Sequence, residues 1–170
     1  MTTTAPPGTA VTDEFRAAMA GLAAGVCVIT TTGTDGSPSG LTVSTGFSVS
    51  VTPPVFGLCV DVRSRTLPAV LERGAFVANV LHGGAQDVAT LFASRATDKF
   101  ARTPHRFTPG GLPWLAEHSL RSVECRIVQT ADAGDHVIIL GAVDAVHAPA
   151  VAGGSALAYV DRRFHALPRS

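Results

Sequence analysis

Residues 40–54 read GLTVSTGFSVSVTPP, and their alternation restricts the fold more than any other stretch. Even positions from 42 to 50 are Thr42, Ser44, Gly46, Ser48 and Ser50; odd positions from 41 to 51 are Leu41, Val43, Thr45, Phe47, Val49 and Val51. Successive strand side chains point to opposite faces, so the run predicts one β-strand with an apolar face and a hydroxyl face. Pro53-Pro54 stops it. A solvated sheet face is the plain explanation of the hydroxyls, since Thr favours strands and Ser is tolerated there.

The flanking sequence predicts further strands and few helices. Thr12 caps a first helix, with Asp13 and Glu14 in its first turn and Phe15, Met19 and Leu22 on one side until Gly25. Strands are expected over 26–33, 55–61 and 75–81, with a turn-forming loop at 34–39. Ser64 or Thr66 caps a second helix that tolerates Pro68 in its first turn, and a third covers 85–94 with Val88, Leu91 and Phe92 at core spacing. Residues 95–115 read as a long functional or covered loop. Two long strands within 119–148 surround TADAGDH, and 156–167 closes the chain as one strand. The pattern predicts a small, mainly β, mostly antiparallel barrel decorated with short helices. Residues 1–11 read as a disordered lead-in without a secretory leader, and 12–170 as one domain.

Only 15% of the 170 residues are charged against 46% hydrophobic, well below the ~25% charge of typical soluble chains. Some apolar surface is therefore expected to be covered, which favours a homo-oligomer. Thirteen basic residues balance thirteen acidic ones with no basic block, so nucleic acid is not an expected partner. The longest apolar runs fall far short of the ~20 residues that a membrane span requires. Cys27, Cys59 and Cys125 are odd in number, lack a CxxC spacing and lie in hydrophobic runs. They read as buried reduced thiols, which suits the cytoplasm. His82, His105, His118, His147 and His165 show no ligand spacing, and no metal site is expected.

The hydroxyl row gains meaning from its neighbours. Gly46, in mid-row, would admit a flat ligand closely. Ser64 and Thr66 precede a helix whose free N–H groups suit a phosphate, and SRATDKF places Ser94, Arg95 and Lys99 after another helix. Hydroxyls and amides around a planar ring with a phosphate tail describe a flavin site.

GLTVSTGFSVSVTPPVFGLCVD, SRT, FVANVL, LFASRATDKF, GGLPWL, VECRI and GDHVIILGAV occur in this order. Together they resemble the short-chain flavin reductase family, FMN-binding split-barrel enzymes of which many supply reduced flavin to a two-component monooxygenase. The resemblance implies a dimeric, Greek-key-like split β-barrel with flavin near the subunit interface. By position, Thr42, Ser44 and Thr45 would contact the flavin ring, helped by Val49 and Ser50, and Cys59, Val60 and Asp61 would run beneath it. Ser64, Thr66, Ser94, Arg95 and Lys99 would surround the ribityl phosphate, with Phe100 flanking the ring or the adenine of FAD. Ser44 and Thr45, with backbone amides, would stabilise the charge of the reduced ring.

His136 of GDH matches a position associated with the nicotinamide and is the catalytic candidate; taken alone it reads as a turn-end histidine closing a hairpin. Arg163 and Phe164 would lie on the nicotinamide side, although Ala156-Leu157 stands where the family often has Pro-Leu. The implied reaction moves hydride from NADH or NADPH to FMN or FAD, with FMN slightly ahead; the lack of a tight arginine cluster points to NADH. A separate flavin-dependent monooxygenase would receive the product. The competing readings are an oxidoreductase that keeps FMN bound and acts on another substrate, and a flavin carrier or sensor without turnover.

Overall fold

The computed structural model describes residues 8–150 and 154–168. Helix α1 (Thr9–Ala20) leads to strands β1 (Ala24–Gly25), β2 (Cys27–Thr32), β3 (Pro38–Val43), β4 (Phe47–Val51) and β5 (Pro54–Asp61). Helix α2 (Leu67–Arg73), strand β6 (Ala75–Leu81) and helix α3 (Gln86–Ala93) follow. The remaining strands are β7 (Arg106–Phe107), β8 (Pro113–Trp114), β9 (Ser119–Ala133), β10 (His136–His147), β11 (Leu157–Val160) and β12 (Arg163–Ala166).

Seven strands form one antiparallel sheet in the order β3-β2-β6-β9-β10-β5-β4, and β1, β11 and β12 form a separate three-stranded sheet. Register shifts at Leu140/Gly141 and Val143/Ala145 bend the long β9–β10 pair, as bulges do. The large sheet curls until Thr45, just past β3, reaches β5. Its hydroxyl donates to the Cys59 carbonyl at 2.7 Å and accepts from the Cys59 amide at 3.2 Å. Among the described residues no strand ladder joins β3 to β5, so a side chain spans this seam and the barrel is split there.

Strand β2 is buried on both faces because it lies between two cores. Cys27 and Ile29 face the barrel interior with Leu58, Val60, Phe76 and Ile139. Val26 and Val28 face the other way, toward Leu81, Ala89, Phe92 and Leu157 beneath α3 and the small sheet. Asn79, fully buried, donates to the Val28 carbonyl at 2.9 Å and accepts from the Leu115 amide at 2.8 Å and the Ser122 hydroxyl at 2.9 Å. A buried amide with these partners ties the 103–116 segment to the barrel wall.

The mainly β architecture agrees with the sequence expectation, and several local readings are corrected. Helix α1 starts at Thr9 behind Gly8, not at a Thr12 cap, and ends before Leu22; the proposed lead-in therefore overlaps a helix, and its residues 1–7 lie outside the described ones. No α1 residue is buried: Phe15 is 62% and Met19 45% exposed. Helical periodicity marks an apolar face without saying what covers it.

The predicted single strand over 40–51 is two strands on opposite edges of the large sheet, separated by Ser44-Thr45-Gly46. A Cβ at Gly46 would lie 2.9 Å from Phe56 Cζ and 3.3 Å from Cys27 Sγ. That glycine thus serves packing within the barrel, not the approach of a flat ligand. On β4 the apolar odd positions Phe47, Val49 and Val51 are exposed, as is Ser48. The 95–115 segment contains the short β7–β8 hairpin. Strand β9 runs on to Ala133, leaving Gly134-Asp135 as a two-residue turn. The predicted closing strand is a hairpin whose turn, Asp161-Arg162, has φ of 51° and 60°. Cys59 is only half-buried, whereas Cys27 and Cys125 are buried.

Candidate functional site

One cleft of about 780 Å³ opens between β3, the turn after β5 and the segment that follows α3. Short polar side chains shape both walls. Asp61 Oδ1 accepts from the Arg63 amide at 2.7 Å, the Ser64 amide donates to the Asp61 carbonyl at 2.9 Å, and the Thr66 amide donates to Ser64 Oγ at 3.3 Å. These bonds fold DVRSRT into a compact turn. The Thr66 hydroxyl then donates to the Gly40 carbonyl at 3.2 Å, pinning the turn to β3, so this cap residue does not cap α2 with its side chain.

On the opposite wall Ser94 ends α3 in extended backbone; its Oγ donates to the Leu91 carbonyl at 2.7 Å and accepts from the Ala96 amide at 3.1 Å. Lys99 reaches back over the Phe92 ring, 5.7 Å from its centroid, and donates to the carbonyls of Phe92 at 2.8 Å and Gly40 at 3.3 Å. Phe100 meets Phe92 edge to face with centroids 5.1 Å apart.

The cleft is cationic in a chain with no net charge. Arg63, Arg65, Arg95 and Lys99 line it against a single acid, Asp61. Asp61 is already paired: Arg63 Nε at 3.0 Å and Nη2 at 2.7 Å fork onto its carboxylate. Those hydrogen bonds, then the Arg63 charge, hold the Asp61 carboxyl far below the ordinary carboxylate range. Burial, then the neighbouring Arg65 charge, pulls the Lys99 ammonium below its usual value. The Arg65 guanidinium donates to the Arg95 carbonyl, which links the two walls. A concave site with unneutralised cations above an aromatic wall selects an anionic ligand with an apolar body. The expected absence of an arginine cluster is corrected, because Arg95 joins Arg63 and Arg65 of the DVRSRT turn at this cleft.

Of the residues expected from sequence, Thr42, Asp61, Ser64, Thr66, Ser94, Arg95, Lys99 and Phe100 share the cleft. Two of the threonines in this stretch are committed to the backbone. Thr42 Oγ1 donates to the Ala89 carbonyl at 2.7 Å and Thr45 Oγ1 holds Cys59, so neither is a free ligand for a ring. Ser44 is exposed beyond β3, and Val49 and Ser50 lie on β4, outside the cleft lining. Val60 points into the barrel core and is 1% exposed, so its side chain cannot lie under a ligand. Cys59 faces outward beside Thr45.

His136 is the register partner of Asp61 across β5 and β10, just outside the lining residues, with Nδ1 2.7 Å from Asp135 Oδ1. Phe164 stacks against Tyr159 at 5.1 Å within the second core, and Arg163 is exposed on β12; neither enters the cleft. Sequence reasoning passed over Arg63 and Arg65. Their signal was their place inside DVRSRT, between positions already selected. Among the described residues no three His, Cys, Asp or Glu side chains gather as a metal site.

A family model described as the flavin reductase like domain matches residues 19–168. The chain belongs to this family. It is 42% identical over 151 residues to a flavin reductase (NADH) of Kitasatospora aureofaciens, covering 87% of this chain and 74% of that one. It is 38% identical over 158 residues to the FMN reductase (NADH) RutF of Methylorubrum extorquens, covering 92% and 75%. Among solved structures it superposes with a TM-score of 0.83 and 30% identity on BorF, the flavin reductase component of a bacterial two-component tryptophan halogenase, over 94% of this chain and 99% of that one. The split barrel is the fold that these flavin reductases share with this chain.

Proposed function

We propose that the chain is an NAD(P)H-dependent flavin reductase that passes hydride from NADH to FMN or FAD held in the cationic cleft. The carrying observation is the cleft itself, with Arg65, Arg95 and Lys99 left for a phosphate once Arg63 is paired with Asp61. The donor set fits a flavin: cations and the Ser64 hydroxyl for the tail, Leu41, Phe92 and Phe100 for the ring system. When bound, the flavin supplies the hydride-accepting ring, and no nucleophile or acid–base pair is asked of the protein. The residues bind and orient. Arg95 and Lys99 fix the tail, Phe100 limits the space beside it, and Thr42 and Thr45 hold the walls through their backbone bonds. Ser44, with neighbouring amides, is the donor offered to the ring edge. His136 meets the nicotinamide, approached from the Asp61 end of the cleft.

NADH is the preferred donor, supported by the NADH reductases among the relatives, and FMN is placed ahead of FAD. The work is done by a single domain over residues 12–170. A homodimer is supported by the uncovered apolar residues Val11, Phe15 and Met19 on α1 and Phe47, Val49 and Val51 on β4. A separate monooxygenase or halogenase as recipient of reduced flavin is supported by the likeness to reductase components of two-component systems. A cytoplasmic location is supported by the free cysteines; no helix among the described residues is long and apolar enough to cross a membrane. The test is NADH oxidation followed at 340 nm with and without added FMN or FAD. Turnover that depends on added flavin supports a diffusible-flavin reductase. Flavin binding without turnover on either nicotinamide refutes the proposal in favour of a carrier.

A further inference from the structure

The two ring nitrogens of His136 have different surroundings. Nδ1 is 2.7 Å from Asp135 Oδ1. A carboxylate only accepts, so Nδ1 carries the hydrogen. In the neutral ring Nε2 is then a bare acceptor, and it makes no hydrogen bond among the described residues.

Asp61 is the register partner of His136 across the ladder, and its carboxylate is engaged by Arg63. Oδ1 accepts from Arg63 N at 2.7 Å and Nε at 3.0 Å, and Oδ2 from Nη2 at 2.7 Å. Asp61 is thus turned to Arg63, and the hydrogen bond that the His136 ring makes is the one to Asp135.

We infer that Asp135 is a positioning residue that holds neutral His136 in its Nδ1–H form, so that Nε2 accepts a hydrogen bond from the nicotinamide carboxamide NH₂. This rests on the reductase reading and on His136 meeting the nicotinamide. With the opposite tautomer two N–H groups would face each other, and the carboxamide donor would be left unmade. The Asp135 carboxyl is itself held below its ordinary range, first of all by the His136 hydrogen bond.

The experiment combines ¹⁵N NMR of the neutral His136 ring with steady-state kinetics of the intact protein. Wild type is expected to show the hydrogen on Nδ1. In Asp135→Asn the side-chain amide donates to Nδ1 and moves the hydrogen to Nε2, the effect known for serine-protease triads. The NADH KM of that variant should rise about tenfold, the worth of one hydrogen bond, while the flavin KM stays within about twofold. Asp135→Glu should recover most of the loss. Reduced 3-acetylpyridine adenine dinucleotide offers only an acetyl oxygen in place of the NH₂ donor, so with it Asp135→Asn should show no loss relative to wild type.

A hydrogen that stays on Nδ1 in Asp135→Asn, or an unchanged NADH KM, overturns the inference. If His136→Ala meanwhile raises the NADH KM, the placement of His136 beside the nicotinamide survives. An unchanged NADH KM in His136→Ala removes that placement and the inference together. Absence of flavin reduction by wild type removes the reductase reading itself.

Discussion

Replacing Thr45 by Val tests whether a single hydroxyl closes the barrel. Val keeps the branched shape and loses the group that serves both backbone atoms of Cys59, at 2.7 and 3.2 Å. Each such bond contributes about 0.5–1.5 kcal/mol net. Thr45 is exposed, so water replaces part of what is lost and the low end of the range applies, about 1–2 kcal/mol for the pair. For a chain of this length 1 kcal/mol shifts Tm by about 2–4 °C, so Thr45→Val should melt roughly 2–8 °C lower. Thr45→Ser keeps the hydroxyl and should recover most of that difference. Thermal unfolding followed by circular dichroism reads all three proteins, and a flavin fluorescence titration accompanies it. Flavin affinity should change by less than about threefold, because the hydroxyl is engaged with backbone. An unchanged Tm in Thr45→Val refutes the seam argument; a tenfold loss of flavin affinity at unchanged Tm returns Thr45 to the ring.

Other outcomes follow from the same geometry. Arg95→Ala and Lys99→Met should each raise the flavin KM about tenfold or more and leave the NADH KM nearly unchanged, since each removes a charge-assisted contact to phosphate; equal losses for both substrates would contradict the assignment. Burial, then the His82 charge, lowers the His118 pKa, and Glu117 opposes this. The unfolded state therefore binds a proton more readily than the native one as pH falls through about 6.5. Stability from this group is complete above that pH, is lost below it and levels off past the folded-state pKa. Urea midpoints measured at pH 7.5 and 5.5 should fall on acidification, and His118→Gln should flatten that change. Burial raises the Cys27 and Cys125 thiols to about 12, so native protein should react with a thiol reagent only at half-buried Cys59; three reactive thiols before unfolding would contradict the packing.

Order and type of elements were legible where local chemistry and packing agree. Strand β6 occupies the 75–81 run forecast for it, because its residues face two cores and read as one apolar stretch. The DVRSRT turn and the SRATDK segment were legible as compact polar turns, because short polar side chains bond to backbone within two to four residues. Most of the residues chosen from them do meet in one cleft. The roles of Thr42 and Thr45 were not legible, because a Thr has the same signature whether it faces a ligand or its own chain; they donate to carbonyls 47 and 14 residues away.

By itself the sequence determined a mainly β chain, the turns that shape the cleft walls and the residues able to carry positive charge. Alternation, turn formers and side-chain chemistry all act over a few residues. Only the tertiary structure decided that 40–51 breaks into two edge strands, that three arginines and Lys99 line one cleft with Asp61, and that Asp61 lies across from His136. Those outcomes depend on how a curled sheet brings distant edges together, and the register of long-range strand pairs settles that.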